Sequence, residues 1–264
     1  MNVSVNQAAS SMSALAQWQE VIAGNLSAAK VPGFKAGQVT FEGTLGGKLP
    51  HAEDPNPDSE TNFILPTAQF KTLLTESGNL ERTGVPTHLA IDDNDYKPGD
   101  PIAFFKVELD EGEAAYTRDG EFNVDAEGNL ITKHGYGVFG PGGPILLPQT
   151  TGKIEISPSG MINIDGKASG EEGLTFDVTD PETLAPKDHG LFAFSDPNDP
   201  QNPVNESDTI RLKPGFLESS NVKPMQEMTR LIEVIRAYES KQRVIQSHDQ
   251  RIGQVISGLG NPVF

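Results

Sequence analysis

Both ends of this chain carry apolar residues at alternating three- and four-residue steps. Eight of ten such positions are apolar near the C-terminus, and seven of eight near the N-terminus. The C-terminal series is Met228, Leu231, Ile235, Tyr238, Gln242, Ile245, Asp249, Ile252, Ile256 and Leu259. The N-terminal series is Val5, Ala8, Met12, Leu15, Gln19, Ile22, Leu26 and Ala29. This spacing predicts two long helices that form a coiled coil, first with each other.

The sequence indicates where the two predicted helices begin and end. Val31-Pro32-Gly33 ends the first helix, because a residue before proline avoids the α region. The second helix is predicted to begin near residues 219–221, whose side chains can cap it, with Pro224 in its first turn. It ends before Gly260-Asn261-Pro262. A helix of this length needs a partner along it.

The middle of the chain has a different pattern. From about Gly78 to Leu217, short apolar runs alternate with turn dipeptides such as Asp119-Gly120 and Asp165-Gly166, which predicts strands joined by tight hairpins. Residues 41–62 are dense in Gly and Pro, which is typical of an extended segment. The predicted fold class is α+β. Its four parts are an N-terminal helix (1–36) paired with 220–264, a Gly/Pro-rich linker or arm (37–77), a β-rich central domain (78–219) and a C-terminal coiled-coil helix (220–264).

Charge is distributed unevenly along the sequence. The net charge is −17, of which residues 1–40 contribute +1 and residues 221–264 contribute +2, so the middle holds −20. An acidic middle argues against nucleic acid or an anionic membrane as a partner. We find no signal peptide and no apolar run long enough to insert into a membrane, so we expect a soluble protein, cytoplasmic or exported without a cleaved leader. The absence of cysteine excludes disulfides and thiolate chemistry.

Catalytic and cofactor motifs are absent or in the wrong context. Residues 135–140 match the letters of a dinucleotide fingerprint, but Pro141 and Pro144 prevent the helix that the fingerprint needs. The five histidines are scattered and no Gly-x-Ser-x-Gly elbow occurs. We therefore predict no enzyme, no cofactor and no metal.

Two other functions stay open at this point. The acidic loop at 92–100 offers hard oxygen ligands, so an exported coiled-coil adhesin or calcium-dependent binding protein with a β-rich ligand domain is the alternative. An acidic glycosidase would need two essential carboxylates.

Short motifs along nearly the whole chain give a family resemblance. They are Ile22-Ala23-Gly24-Asn25-Leu26-Ser27, Val31-Pro32-Gly33-Phe34-Lys35, Thr83-Gly84-Val85-Pro86, Leu89-Ala90-Ile91, Phe104-Phe105, Tyr116-Thr117-Arg118-Asp119-Gly120-Glu121-Phe122, Ser220-Asn221-Val222, Glu227-Met228 and Arg236-Ala237-Tyr238-Glu239. In order and spacing the chain resembles the bacterial flagellar rod and hook protein family. It departs at Gly24, Ala28, Lys30 and Val31, where the family has Asn, Asn, Asn and Thr, and at His88, where it has Asp. An insertion also separates Ile91 from Phe104.

The resemblance carries expectations about function. Gly143-Pro144-Ile145 with Pro148, and Pro214-Gly215-Phe216-Leu217-Glu218, are most similar to the proximal-rod branch. The family resemblance implies that the protein is a structural subunit of the periplasmic basal-body rod, the axial drive shaft of the flagellum. Such a subunit leaves the cell unfolded through the flagellar type III export apparatus, without a cleaved signal peptide. Its partners are copies of itself and other rod subunits.

The predicted assembly interface lies on the two terminal helices and the turn after the first. It consists of Met12, Leu15, Trp18, Ile22, Asn25, Leu26, Gly33, Phe34, Met228, Leu231, Ile235, Tyr238, Ile245, Ile252 and Ile256. Two roles are open for Trp18, the only tryptophan: it covers its own helix pair, or it anchors a neighbouring subunit.

Overall fold

A computed structural model describes residues 3–50, 60–93, 97, 100–109, 113–140, 142–147, 154–168, 174, 176–178, 183–194, 204–206 and 211–259. A helix stands at each end and strands lie between. The helices are α1 (Val3–Ser27) and α2 (Pro224–Leu259). The strands are β1 (Gly37–Pro50), β2 (Glu60–Thr72), β3 (Leu80–Arg82), β4 (Leu89–Asp92), β5 (Ile102–Glu108), β6 (Ala114–Thr117), β7 (Phe122–Val124), β8 (Leu130–Thr132), β9 (Gly137–Gly140), β10 (Gly143–Pro144), β11 (Ile154–Ile156), β12 (Ile162–Ile164), β13 (Lys167–Ala168), β14 (Phe176–Val178), β15 (Leu184–Pro186), β16 (Leu191–Phe194), β17 (Val204–Glu206), β18 (Arg211–Pro214) and β19 (Phe216–Glu218).

The chain divides into two compact units. The helical unit contains Met1–Ser27, Gly37–Lys71 and Lys223–Phe264. The β unit contains Ala28–Ala36 and Thr72–Val222.

In the helical unit, α1 packs against both α2 and the ribbon of β1 and β2. The Trp18 ring meets the Phe41 ring edge to face, with centroids 5.3 Å apart. The Ser10 hydroxyl donates to the Pro66 carbonyl at 2.7 Å. The residues predicted as an extended arm thus hold two paired strands, and 51–59 lie outside the described residues. Within the described residues, neither helix has the length and hydrophobicity that a membrane crossing requires.

The predicted long coiled coil is wrong. Along the N-terminal half of α2 the buried face consists of Glu227, Leu231, Val234 and Tyr238, whereas Met228 and Ile235 of the predicted seam are 51% and 40% exposed. Gln19 of the α1 seam is exposed as well. The physical reason is a third element: α1 is covered by β1 as well as by α2, so its buried surface is wider than a two-helix seam. The α+β class and the β-rich centre agree with the prediction.

One large antiparallel sheet dominates the β unit. Its main path is β15-β16-β6-β5-β9-β8-β7, with β10 added to β9, β14 to β5 and β17 to β14. The central strand β5 sets Phe105 opposite Thr117 of β6 and Phe104 opposite Phe176 of β14. Smaller sheets pair β11-β12-β13, β18-β4 and β19-β3.

Strand β5 separates two apolar clusters. Because alternate side chains of a strand point to opposite faces, Ile102 and Phe104 join one cluster while Ala103, Phe105 and Val107 join the other. Both faces are buried, which is why this run is nearly continuous in apolar residues. The rings of Phe105 and Phe122 pack edge to face at 5.0 Å.

The hairpin between β12 and β13 has the predicted Asp165-Gly166 turn. Both residues have positive φ, 51° and 77°, as a two-residue type I′ turn requires. Ile164 then pairs with Lys167 directly across the turn.

Candidate assembly interface

The interface residues predicted on α1 are mostly covered by their own chain. Ile22 and Asn25 are buried, and Met12, Leu15, Trp18 and Leu26 are half-buried. The contact with Phe41 accounts for part of the coverage of Trp18. This face therefore contributes first to folding of the helical unit.

The interface residues predicted on α2 fall into two groups. Leu231, Tyr238 and Ile245 are half-buried on the side of α2 that packs inward, whereas Met228, Ile235 and Ile252 are exposed. The side chain of Ile256 lies outside the described residues.

The exposed residues at the start of α2 form a continuous apolar stripe. It consists of Met225, Met228, Ile232 and Ile235, of which Met225 is 78% exposed. At roughly 100° per residue the four side chains lie within about 80° of one another around the helix. Large apolar side chains grouped in this way are typical of a surface that packs against another protein.

Hydrogen bonds between polar groups join α1, β1 and α2 in the helical unit. The Asn25 carboxamide accepts the Gly37 N–H and donates to the Gly37 carbonyl, each at 2.8 Å. The same amide nitrogen lies 3.4 Å from a carboxylate oxygen of Glu227, whose other oxygen accepts from Arg230 at 2.6 Å. Glu227 is buried, which the hydrophobic spacing could not predict because a charged residue takes the apolar position.

Gly33 and Phe34 lie in the β unit. The Gly33 N–H donates to the Glu218 carbonyl at 2.7 Å, and Phe34 is half-buried. Gly33 has a φ of 67°, and a β-carbon there would overlap the peptide between Arg118 and Asp119. Glycine is therefore required for two independent reasons.

A buried ionic cluster next to Gly33 was not predicted. The Lys35 ammonium donates to a Glu218 carboxylate oxygen at 2.8 Å, and both side chains are at most 1% exposed. The Arg118 guanidinium lies 3.4 Å from the other Glu218 oxygen and 2.7 Å from Asp93. Two cations and two carboxylates balance in charge, as buried ions must.

Backbone groups also form hydrogen bonds with this cluster, although Arg118 Nε has no partner among the described residues. Lys35 also donates to the Glu76 carbonyl at 2.8 Å, and Glu218 accepts the Gly78 N–H at 2.8 Å. Burial, followed by the positive charge of Arg118, lowers the pKa of Lys35 from its usual 10.5, although Glu218 opposes that shift. The site can therefore fix three chain segments relative to one another.

Asn221 joins the same segments through its side chain. Its carbonyl oxygen accepts the Ala36 N–H at 2.7 Å, and its amide donates to the carbonyls of Leu73 and Glu76 at 3.1 and 2.9 Å. The residues that precede α2 in sequence are thereby held against those that follow α1.

The described carboxylates of the acidic loop form ion pairs or hydrogen bonds with other groups of the same chain. Asp92 pairs with Lys213 at 2.8 Å and Asp93 with Arg118 at 2.7 Å, while Asp100 accepts the Lys97 N–H. Asn94 and Asp95 lie outside the described residues. Across the described part of the chain, no group of three or more acidic or histidine side chains is placed to hold a metal ion.

Two protein families match this chain. The family described as "Flagellar hook protein FlgE/F/G D1 domain" matches residues 102–164, which span β5 to β12. The family described as "Flagellar basal body rod FlgEFG protein C-terminal" matches residues 213–258, which span Glu218, Asn221 and nearly all of α2.

Curated relatives are similar over almost the full length. The flagellar basal-body rod protein FlgF of Caulobacter vibrioides is 31% identical over 247 residues, 91% of each chain. FlgF of Rhizobium meliloti is 29% identical over 261 residues, covering 98% of this chain and 99% of the relative. FlgG of Borreliella burgdorferi is 31% identical over 262 residues, covering 93% of this chain and 94% of the relative.

Proposed function

Because the chain belongs to the flagellar basal-body rod protein family, we propose that it builds the rod by packing its terminal helices against neighbouring subunits. As a member of this family it is a structural subunit of the flagellar basal body. Its partners are other components of the basal body. We also propose that the protein self-associates, lies in the proximal rod and passes through the type III export apparatus. Its relatives include both FlgF and FlgG proteins.

The observation that carries the proposal is the apolar stripe of Met225, Met228, Ile232 and Ile235. Burying such side chains against a neighbour contributes about 1.5–3 kcal/mol for each one fully buried. A helix that hides one face inside its own unit and presents a second apolar face outward can join two subunits.

The position of the apolar stripe around α2 also favours a contact with another subunit. A contact between two unlike surfaces can repeat along a rod, whereas a contact between identical surfaces by itself closes into a dimer. The stripe lies about 120° around α2 from the buried face of Glu227, Leu231, Val234 and Tyr238, so folding leaves it free to contact another subunit.

The alternatives are not favoured. The relatives are rod proteins, which form a structural class rather than an enzyme class. An adhesin whose acidic loop binds calcium would need carboxylates that converge on one ion, whereas Asp92 and Asp93 pair with Lys213 and Arg118.

Replacing Ile235 by Asp tests the proposal. In cells that carry Ile235→Asp as their only copy, we expect loss of swimming in soft agar and basal bodies with an incomplete rod in electron micrographs. Gln226→Asp is the matched control, since it adds the same charge to an exposed position of α2 about 140° away from the stripe. Circular dichroism of both purified variants checks that the fold is retained. Full motility of the Ile235→Asp strain would contradict helix packing as the assembly mechanism.

A further inference from the structure

The second half of α2 presents an arginine face. Arg236, Arg243 and Arg251 are exposed and lie within about 80° of one another around the helix. Ser240, Val244 and Ser247 lie between them and line one shallow depression together with the arginines. We call these six residues the arginine face.

Glu239 lines the same depression, so the three arginines of the arginine face lie beside one carboxylate. Arg243 lies 3.9 Å from Glu239, and those two side chains are 81% and 57% exposed, so this ion pair is weak. Among the described residues, neither Arg236 nor Arg251 makes an ion pair. Exposed guanidinium groups can bind carboxylates through two parallel hydrogen bonds.

The β unit carries the complementary charge. Residues 72–222 contain 27 acidic and 10 basic side chains, a net of −17. Several of the cations are already engaged, because Lys133, Lys187 and Lys213 each pair with a carboxylate of the same unit. Exposed acids such as Glu108 and Glu127 remain on its surface. This acidity would repel a nucleic acid that approached the same chain.

We propose that the arginine face of one copy docks on the acidic surface of the β unit of a second copy. The inference rests on the proposed function, in which copies of the chain assemble with one another. The two surfaces are unlike, so the contact leaves an unused surface of each kind at the ends of any assembly. Such a contact extends into a helical array instead of closing into a dimer.

Carbodiimide cross-linking of the full chain tests which surface meets the arginine face. Arg243→Lys keeps the charge and supplies an amine that carbodiimide joins to a carboxylate in direct contact. Equal amounts of ¹⁴N- and ¹⁵N-labelled variant are mixed, cross-linked and mapped by mass spectrometry. We expect links from position 243 to carboxylates of residues 72–222 in a chain of the other isotope. Links confined to one chain, links to carboxylates of another helix, or no link from position 243 would overturn the proposal.

Charge reversal separates this proposal from the proposed function. Arg243→Glu should weaken self-association about tenfold at low salt, measured by sedimentation velocity. The matched control, Lys223→Glu, reverses a charge just before α2 and should leave association unchanged. In 1 M NaCl, the wild type and Arg243→Glu should behave alike, because the Debye length falls to about 3 Å. If Ile235→Asp weakens association and Arg243→Glu does not, only the docking proposal fails; if the wild type does not associate at all, both fail.

Discussion

The Lys35 ammonium and the Glu218 carboxylate form a 2.8 Å ion pair from which solvent is excluded. The two residues are 183 positions apart in sequence, and within the β unit their contact joins residues 28–36 to strand β19. Around it, Gly33 donates to the Glu218 carbonyl and Asn221 donates to the Leu73 and Glu76 carbonyls. Three distant segments of the chain are therefore ordered by one cluster.

We predict that breaking this pair destabilises the β unit strongly. Lys35→Met or Glu218→Gln removes one side of the pair and leaves the buried cluster with an unbalanced charge, which costs about 3–5 kcal/mol of unfolding free energy. Urea unfolding followed by the circular dichroism of the sheet measures the loss.

An exposed ion pair of the same unit provides the control for that measurement. Lys187 and Glu113 lie 2.6 Å apart with side chains 39% and 34% exposed, and Lys187→Met should cost less than about 1 kcal/mol. Equal losses for the two pairs would mean that burial of Lys35 has no special effect.

Gly33→Ala should destabilise the β unit more than Gly84→Ala. Both glycines have a left-handed backbone, with φ of 67° and 74°, so alanine is strained by about 1 kcal/mol at either site. A β-carbon at Gly84 meets nothing within 4 Å, whereas one at Gly33 overlaps the Arg118–Asp119 peptide. The clash should add about 1–3 kcal/mol at Gly33, and urea midpoints compare the two variants. Indistinguishable midpoints would show that the backbone at Gly33 moves aside freely.

Local patterns in the sequence were sufficient to predict the helices and turns, but not which of their faces contact other elements. The Asp165-Gly166 turn and the helix end before Pro32 follow from rules about single residues, and both agree with the structure. The helix α1 packs on β1 as well as on α2, and neither helix sequence reports this third element. The spacing of Met228 and Ile235 therefore indicated an inward seam where the structure has an outward stripe.

The ionic cluster had no local signature. Lys35, Arg118 and Glu218 each belong to a motif that resembles the rod family, but a charged residue in a short motif is ordinarily exposed. Only the three-dimensional pairing of β19 with β3, and the return of residues 33–36 to that edge, brings these charges together. A search for oppositely charged residues in different family motifs could have suggested the pairing of Lys35 and Arg118 with Glu218.

The stability of the β unit should fall as the pH drops below about 6.5, partly through His134. Its ring stacks on His189, with centroids 4.2 Å apart. Burial, His189 and Lys133 lower the pKa of His134 from 6.5, so the unfolded chain binds a proton more readily than the folded one. The contribution of His134 is therefore complete above pH 6.5 and is lost as the pH falls through the lowered pKa.

Replacing the neighbouring ring isolates this effect. His189→Gln removes one of the groups that lower the pKa of His134, so the titration of His134 should move upward in an NMR pH series. The thermal midpoint of His134→Gln should depend less on pH between 7.5 and 5.5 than that of the wild type. His88→Gln serves as the control, since His88 bonds to Thr83 and no imidazole from the described part of the chain stacks on it. A wild-type and a His134→Gln midpoint that fall in parallel would rule out this origin for the pH dependence.

Asn25→Asp should loosen the helical unit at neutral pH. An aspartate cannot donate to the Gly37 carbonyl, and it places a second carboxylate beside Glu227, which the Asn25 amide now contacts at 3.4 Å. An unpaired buried acceptor costs about 1–3 kcal/mol, and the repulsion between like charges adds to that. Fluorescence of Trp18, which packs on Phe41 in the same unit, reports the unfolding. Gln17→Glu makes the same amide-to-acid change at an exposed position of α1 and should have little effect. The deficit of Asn25→Asp should shrink near pH 4, where a protonated carboxyl can donate again; a deficit that stayed constant with pH would mean that charge repulsion at Glu227 plays no part.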